Sequence, residues 1–203
     1  THLAADDPEQ ARKTAVAYLE PSAAETFTSG RWGSLVSAIS VERYMGEGRA
    51  AWARMAREWP RLERSHLMRV ELVRVCSWYE RGLTALAATM AGEAHLDEVD
   101  AVARRLAKEE PGYARAMSLQ LAALVATARG HRAEALRLSD LAVPALERAD
   151  LGYLAACARA RRGALRGGMG GAAEHEGALA WLAAHGVRDP ARRVPAFERE
   201  IEL

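Results

Sequence analysis

Between Gly112 and Ala149 the chain alternates apolar and polar positions with a helical period. Tyr113, Ala116, Met117, Gln120, Leu121, Leu124, Val125 and Ala128 recur at steps of three and four, which places them on one helix face. Gly130 follows, a residue free to take the positive φ that helix C-caps need. Ala135, Leu138, Leu141, Ala142, Ala145 and Leu146 then restart the period. Two amphipathic helices across so short a turn lie antiparallel, and each keeps apolar surface for a further neighbour. Such a pair is the unit of a helical solenoid.

The rest of the chain reads in the same way. Asp6, Asp7 and Pro8 form a helix start, with an acid to cap and a proline in the first turn. The helix is expected to reach Glu20 and stop at Pro21, with residues 21–30 as a small, polar loop. A helix from Arg31 to Met45 carries Leu35, Ala38, Ile39, Glu42 and Met45 on one face, and Gly46 and Gly48 break it. Residues 49–59 form the next, with Trp52, Met55 and Trp59 in a stripe that looks like core, and Pro60 is expected to end it. His66 to Ala91 is the longest periodic run. It is apolar on several sides (Leu67, Val70, Leu72, Val75, Leu83, Leu86), as a helix buried between neighbours would be. Gly82 within it predicts a close contact or a bend.

After a loop at Gly92, Leu96, Val99, Ala103 and Leu106 keep helical register up to Pro111. Pro144 predicts a kink or an unwound turn in the second helix of the 112–149 pair. Residues 151–166 form a further helix, and Gly167 to Gly171 reads as a flexible link. A last helix covers Ala172 to His185, Gly186 caps it, and Asp189-Pro190 opens a short final turn. The expected organisation is one continuous all-α domain of antiparallel helical hairpins stacked as a TPR-like α-solenoid. Residues 1–30 form an N-terminal helix and loop, 31–171 the repeats, and 172–203 a capping helix and tail.

Composition supports this class. Half of the 203 residues are hydrophobic but only 6% are aromatic, and the small side chains suit close helix packing. The net charge of +1 supplies no global field for nucleic acid or an acidic membrane. Cys76 and Cys157 fall inside helical patterns at no ligand spacing, which points to core thiols of a reducing compartment and a cytoplasmic protein. No stretch reaches the roughly 18 apolar residues of a membrane helix. The sequence begins without Met, as expected of a piece of a longer protein.

Two resemblances sharpen the reading. Gly46 to Ala51 and Gly130 to Ala135 share a Gly-x-x-x-x-Ala spacing that resembles the tetratricopeptide repeat, where Gly makes the turn and Ala lets the second helix pack on the first. Ala142 fits the next small position, whereas Glu58, its counterpart in the earlier unit, does not; the unit near Gly92 is irregular. The segment Trp59-Pro60-Arg61-Leu62-Glu63-Arg64-Ser65 and the terminal Ala180-Trp181-Leu182 with Gly186-Val187, Asp189-Pro190 and Arg192 are more specific. They resemble the C-terminal region of large bacterial, myxobacterial-type Ser/Thr protein kinases, with Leu182, Val187 and Asp189 where that family carries Met, Ile and Asn. The resemblance implies a cytoplasmic, non-catalytic interaction or regulatory domain without a cofactor. Its partner would be a protein or peptide segment, including the upstream kinase or ATPase modules of its own chain. The kinase motifs themselves are missing, so any catalytic domain would lie upstream of Thr1. The alternatives are the helical sensor domain of an ATPase-type transcriptional regulator and a free-standing adaptor.

Candidate chemistry is sparse. The glycine run from Arg166 to Gly171 lacks the preceding strand and the Lys-Ser/Thr of a phosphate loop. His175-Glu176 starts like a zinc helix, but Leu179 stands where the second His is needed, so no metal is expected. Arg159, Arg161, Arg162 and Arg166 read as a solvated basic face. The expected binding site is the concave groove of the solenoid, placed by the turn glycines at Ser40 and Arg43 in one unit and Gln120 and Thr127 in the other. As exposed groove residues, Arg43 and Gln120 should be replaceable by Ala with little effect on the melting temperature.

Overall fold

The computed structural model describes residues 2–16 and 27–194. Among them every regular element is a helix. Helices α1 (Pro8–Val16), α2 (Ser29–Tyr44), α3 (Gly48–Glu63), α4 (Glu71–Met90), α5 (Leu96–Leu106), α6 (Gly112–Ala128), α7 (Arg132–Arg148), α8 (Gly152–Arg166), α9 (Gly168–Ala184) and α10 (Pro190–Arg193) follow in order, with a 3₁₀ turn at His66–Arg69. Each helix packs on the next, and α4 also meets α2 and α6. The result is the expected all-α solenoid of antiparallel hairpins, α2/α3, α4/α5, α6/α7 and α8/α9. The end of the first expected helix, its stop at Pro21 and most of the loop at 21–30 lie outside the described residues.

The turns are built alike. Gly46, Gly92 and Gly130 all take positive φ (78°, 91° and 72°), and the residue after each returns a backbone bond to the preceding helix: Glu47 to Glu42, Glu93 to Ala88, His131 to Ala126. The unit at Gly92 therefore shares the turn that its sequence spacing obscured. Ala51 and Ala135 are fully buried at the hairpin contacts. Glu58 is buried as well, and its carboxylate takes Arg31 of α2 at 2.9 Å, so an ion pair replaces the small residue. Similar arginine–carboxylate pairs join Arg54 to Glu42, Arg81 to Glu98, Arg129 to Asp100 and Arg162 to Glu174.

Central packing forms around α4, as its apolar run predicted. Val75, Tyr79, Leu83 and Leu86 join Val99, Leu106, Leu121 and Leu124 in the main core. Gly82 is a point of close contact: a Cβ there would lie 2.8 Å from Leu121 Cδ1. Trp59 is buried with its ring edge on Trp78 at 4.5 Å, and the Arg81 guanidinium stacks over Trp59 at the same distance.

Several boundaries differ from expectation. Helix α3 continues through Pro60 to Glu63, because the proline and Ala56, whose carbonyl it deprives of a partner, are both exposed residues. Helix α7 likewise runs unbroken through the exposed Pro144. The run from His66 is not one helix. Val70 is extended (φ −78°, ψ 115°), so α4 begins at Glu71, and Val70 and Leu72 stand exposed beyond the neighbouring helices. The glycine run is no flexible link. Gly167 and Gly168 turn the chain with positive φ, and Gly171 already sits inside α9, where a Cβ would come within 2.5 Å of the Gly163 carbonyl. Closeness of α8 and α9 requires both glycines.

Finally, the segment before α1 meets the segment between α9 and α10. The N–H of Arg188 donates to the Ala4 carbonyl at 2.8 Å, and α10, capped by Asp189 on the Arg192 N–H, brings Val187 and Val194 onto the core.

Candidate functional site

Four polar residues define the predicted groove, and the structure draws Ser40 and Arg43 into one contact with α4, Gln120 into another and Thr127 into neither. Arg43 is only 5% exposed. Its Nη1 donates to Glu80 Oε2 at 2.6 Å and to Thr84 Oγ1 at 3.1 Å, and its Nη2 reaches Ser40 Oγ at 3.5 Å. Thr84 in turn donates to the Glu80 carbonyl of its own helix. A buried ion pair holds only when geometry is close and the remaining polar atoms are satisfied, and these conditions are met here. Gln120, 2% exposed, accepts from the Tyr79 hydroxyl at 2.7 Å through Oε1, while its Nε2 has no hydrogen-bond partner. Burial pushes the Tyr79 phenol far above the ordinary tyrosine range. Thr127 donates to the Ala123 carbonyl one turn back and joins neither contact.

Arg43 and Gln120 are therefore not exposed groove residues. Helix α4 lies between α2 and α6 and takes a polar side chain from each, so these residues connect consecutive hairpins. Ser40 borders an open depression, of about 510 Å³, between α1 and α2, with Ala11, Ala15 and Val41.

The expected solvated basic face on α8 is also altered. Arg162 and Arg166 are tied to Asp140 and Glu174, Arg159 pairs with Glu147, and Arg161 is buried. His175 places Nδ1 2.8 Å from the Ala160 carbonyl, and His185 stacks on Trp181 at 3.7 Å. Among the described residues no three His, Cys, Asp or Glu side chains are grouped to hold a metal ion, and no helix is long and apolar enough to cross a membrane. Cys76 on α4 and Cys157 on α8 are not joined in a disulfide, and burial raises the Cys76 thiol above its usual range.

Sequence reasoning missed a groove of about 650 Å³ between α6 and α7. Leu141 lines it and is 47% exposed, although the periodic pattern assigned it to the core. The signal was present. Ala135, Ser139, Ala142 and Leu146 form the buried stripe of α7, and Leu141 lies one residue, about 100°, off it.

No known protein family and no curated protein matches the chain.

Proposed function

We propose that this chain is a non-catalytic, TPR-like interaction and regulatory domain, the C-terminal part of a multidomain bacterial Ser/Thr protein kinase acting in the cytoplasm. The observation that carries the reading is the stack of glycine-turned antiparallel hairpins, a scaffold that buries its own core and presents extended surface to other proteins. The motif residues shared with the kinase family have roles within that scaffold. Trp59 and Leu62 are core, and Ser65 Oγ donates to the Leu62 carbonyl at 2.6 Å. Trp181 packs against the site of Gly152, Gly186 ends α9 with positive φ, and Asp189 caps α10. These are architectural tasks, so the resemblance bears on the array and leaves catalysis to upstream modules.

The test begins with the native reading frame and then with trans binding. If the frame encodes a kinase domain upstream, that domain should bind this chain in titration calorimetry and change its autophosphorylation rate when the chain is added. A frame without kinase elements, or a kinase domain indifferent to the chain, overturns the reading.

A further inference from the structure

An open groove lies between α6 and α7, where α6 begins and α7 finishes. The groove there has an apolar floor, Ala116 and Leu119 from α6 against Leu141 and Ala145 from α7, and its end carries Arg115 and Arg148. Both arginines are exposed, and among the described residues neither meets a carboxylate; Arg148 Nε instead donates to the Pro144 carbonyl of its own helix at 3.1 Å. That sets them apart from Arg74, Arg81, Arg129, Arg162 and Arg166, each paired to an acid.

The N-terminus of α6 brings positive backbone charge to this end, opposite the C-terminus of α7. The first turn of α6 contains no acidic residue, and its N-cap, Pro111, supplies no side-chain acceptor. The opposing C-terminal carbonyls of α7 already accept from the N–H groups of Ala149, Asp150 and Leu151. From Gly112 to Leu119 the groove follows roughly 11 Å of helix rise, room for about two turns of a partner helix.

We propose that this groove docks an amphipathic helix of a partner protein, apolar along one face and carrying carboxylates at the end that meets Arg115 and Arg148. Leu141 and Leu119 accept the apolar stripe at helical spacing, and the two guanidiniums fix its direction. A nucleic acid is a poorer fit, because the floor is apolar and the chain has a net charge of only +1. The inference rests on reading the chain as an interaction domain and adds where, and to what chemistry, it binds.

The test uses the whole chain and two labelled helical peptides of about 18 residues, long enough to hold some helix in water. Both carry leucines at i, i+3/4 and i+7; one ends in two Glu, the other in two Lys. In fluorescence anisotropy the Glu peptide should bind roughly tenfold more tightly than the Lys peptide at low salt. The double substitution Arg115→Glu, Arg148→Glu should invert that order, and Leu141→Asp should abolish binding of both peptides, with circular dichroism of the variants unchanged. Equal binding of the two peptides, binding indifferent to the substitutions, no binding at all, or a preference for anionic lipid vesicles over either peptide overturns the groove's assignment. A kinase domain that still binds the Arg115→Glu, Arg148→Glu chain keeps the interaction reading and removes only this groove.

Discussion

Arg192 Nη1 donates to Asp6 Oδ1 at 3.0 Å, closing a span of 186 residues. The same Asp6 oxygen accepts from the Tyr44 hydroxyl at 2.5 Å, and the Arg192 guanidinium lies 4.7 Å above the Tyr44 ring. An open solenoid frays from its ends, because each unit touches only its neighbours. Here α10 is fastened to the segment before α1 and to the end of α2, so the outer units share their stability.

Opening that contact should loosen both ends together. Asp6 holds a positive φ of 52°, so Asn, which tolerates that conformation, is the clean replacement. Asp6→Asn and Arg192→Gln should each destabilise slightly, and a double-mutant cycle should give a coupling of about 0.5–1 kcal/mol for so exposed a pair. Amide hydrogen exchange should quicken in α1 and in α9–α10 in either single variant. Faster exchange at only one end would show that the contact does not join them.

Gln120 and Tyr79 offer a sharper energetic test. Gln120→Ala removes the acceptor of a fully buried hydroxyl, and Tyr79→Phe strands the Gln120 carbonyl, so each should cost about 1–3 kcal/mol. The pair Tyr79→Phe with Gln120→Met leaves no unsatisfied polar atom, including the Nε2 that lacks a partner now. The double variant should unfold in urea at a higher midpoint than either Tyr79→Phe or Gln120→Met alone. Additive losses would mean that the hydroxyl–amide bond is not the determinant.

These two residues also show what one chain's sequence reveals. Gly46, Gly130, Pro111 and Asp189-Pro190 act through local backbone geometry, so turns and caps were legible, and the buried stripe of α6 followed from its period. Arg43 and Gln120 border apolar stripes, and nothing local says whether such a residue meets water or a neighbour; Glu80 and Tyr79, distant in sequence, decide it. Pro60 does not end α3 and Pro144 unwinds no turn of α7, because the cost of a proline inside a helix depends on exposure. Gly171 belongs to a helix because Gly163 lies against it, which is a tertiary fact. The same limit hid the α6–α7 groove, where Leu141 is set apart only once α7 has packed.

Alkaline pH should weaken the fold. Burial, with the bond to Asp6 adding to it, pushes the Tyr44 phenol up to about 12, and burial with the bond to Glu71 does the same for Tyr113. Unfolded tyrosines release their protons near 10. Between these values the native state keeps protons that the unfolded chain has lost, so stability is full below about 10 and falls as pH rises toward about 12. Thermal melts across this window should show the decline, and Tyr44→Phe should flatten it. A melting temperature constant across the window would contradict the assignment.

Glycines of α8 and α9 should divide by their surroundings. A Cβ at Gly163 would lie 2.6 Å from both the Gly171 carbonyl oxygen and the His175 nitrogen, which are backbone atoms that cannot rotate aside. Gly163→Ala should therefore force α8 and α9 apart and cost about 1–3 kcal/mol or more. Gly170, inside α9, has nothing within 4 Å of its added Cβ and no positive φ. Gly170→Ala should stabilise the helix by about 0.5–1 kcal/mol, because alanine gives up less backbone freedom on folding. Chemical denaturation of the two variants beside the parent chain reads both effects at once. A stabilising Gly163→Ala would place the α8–α9 axes further apart than the Gly163–Gly171 contact allows, and a destabilising Gly170→Ala would return residues 168–171 to the status of a link outside the helix.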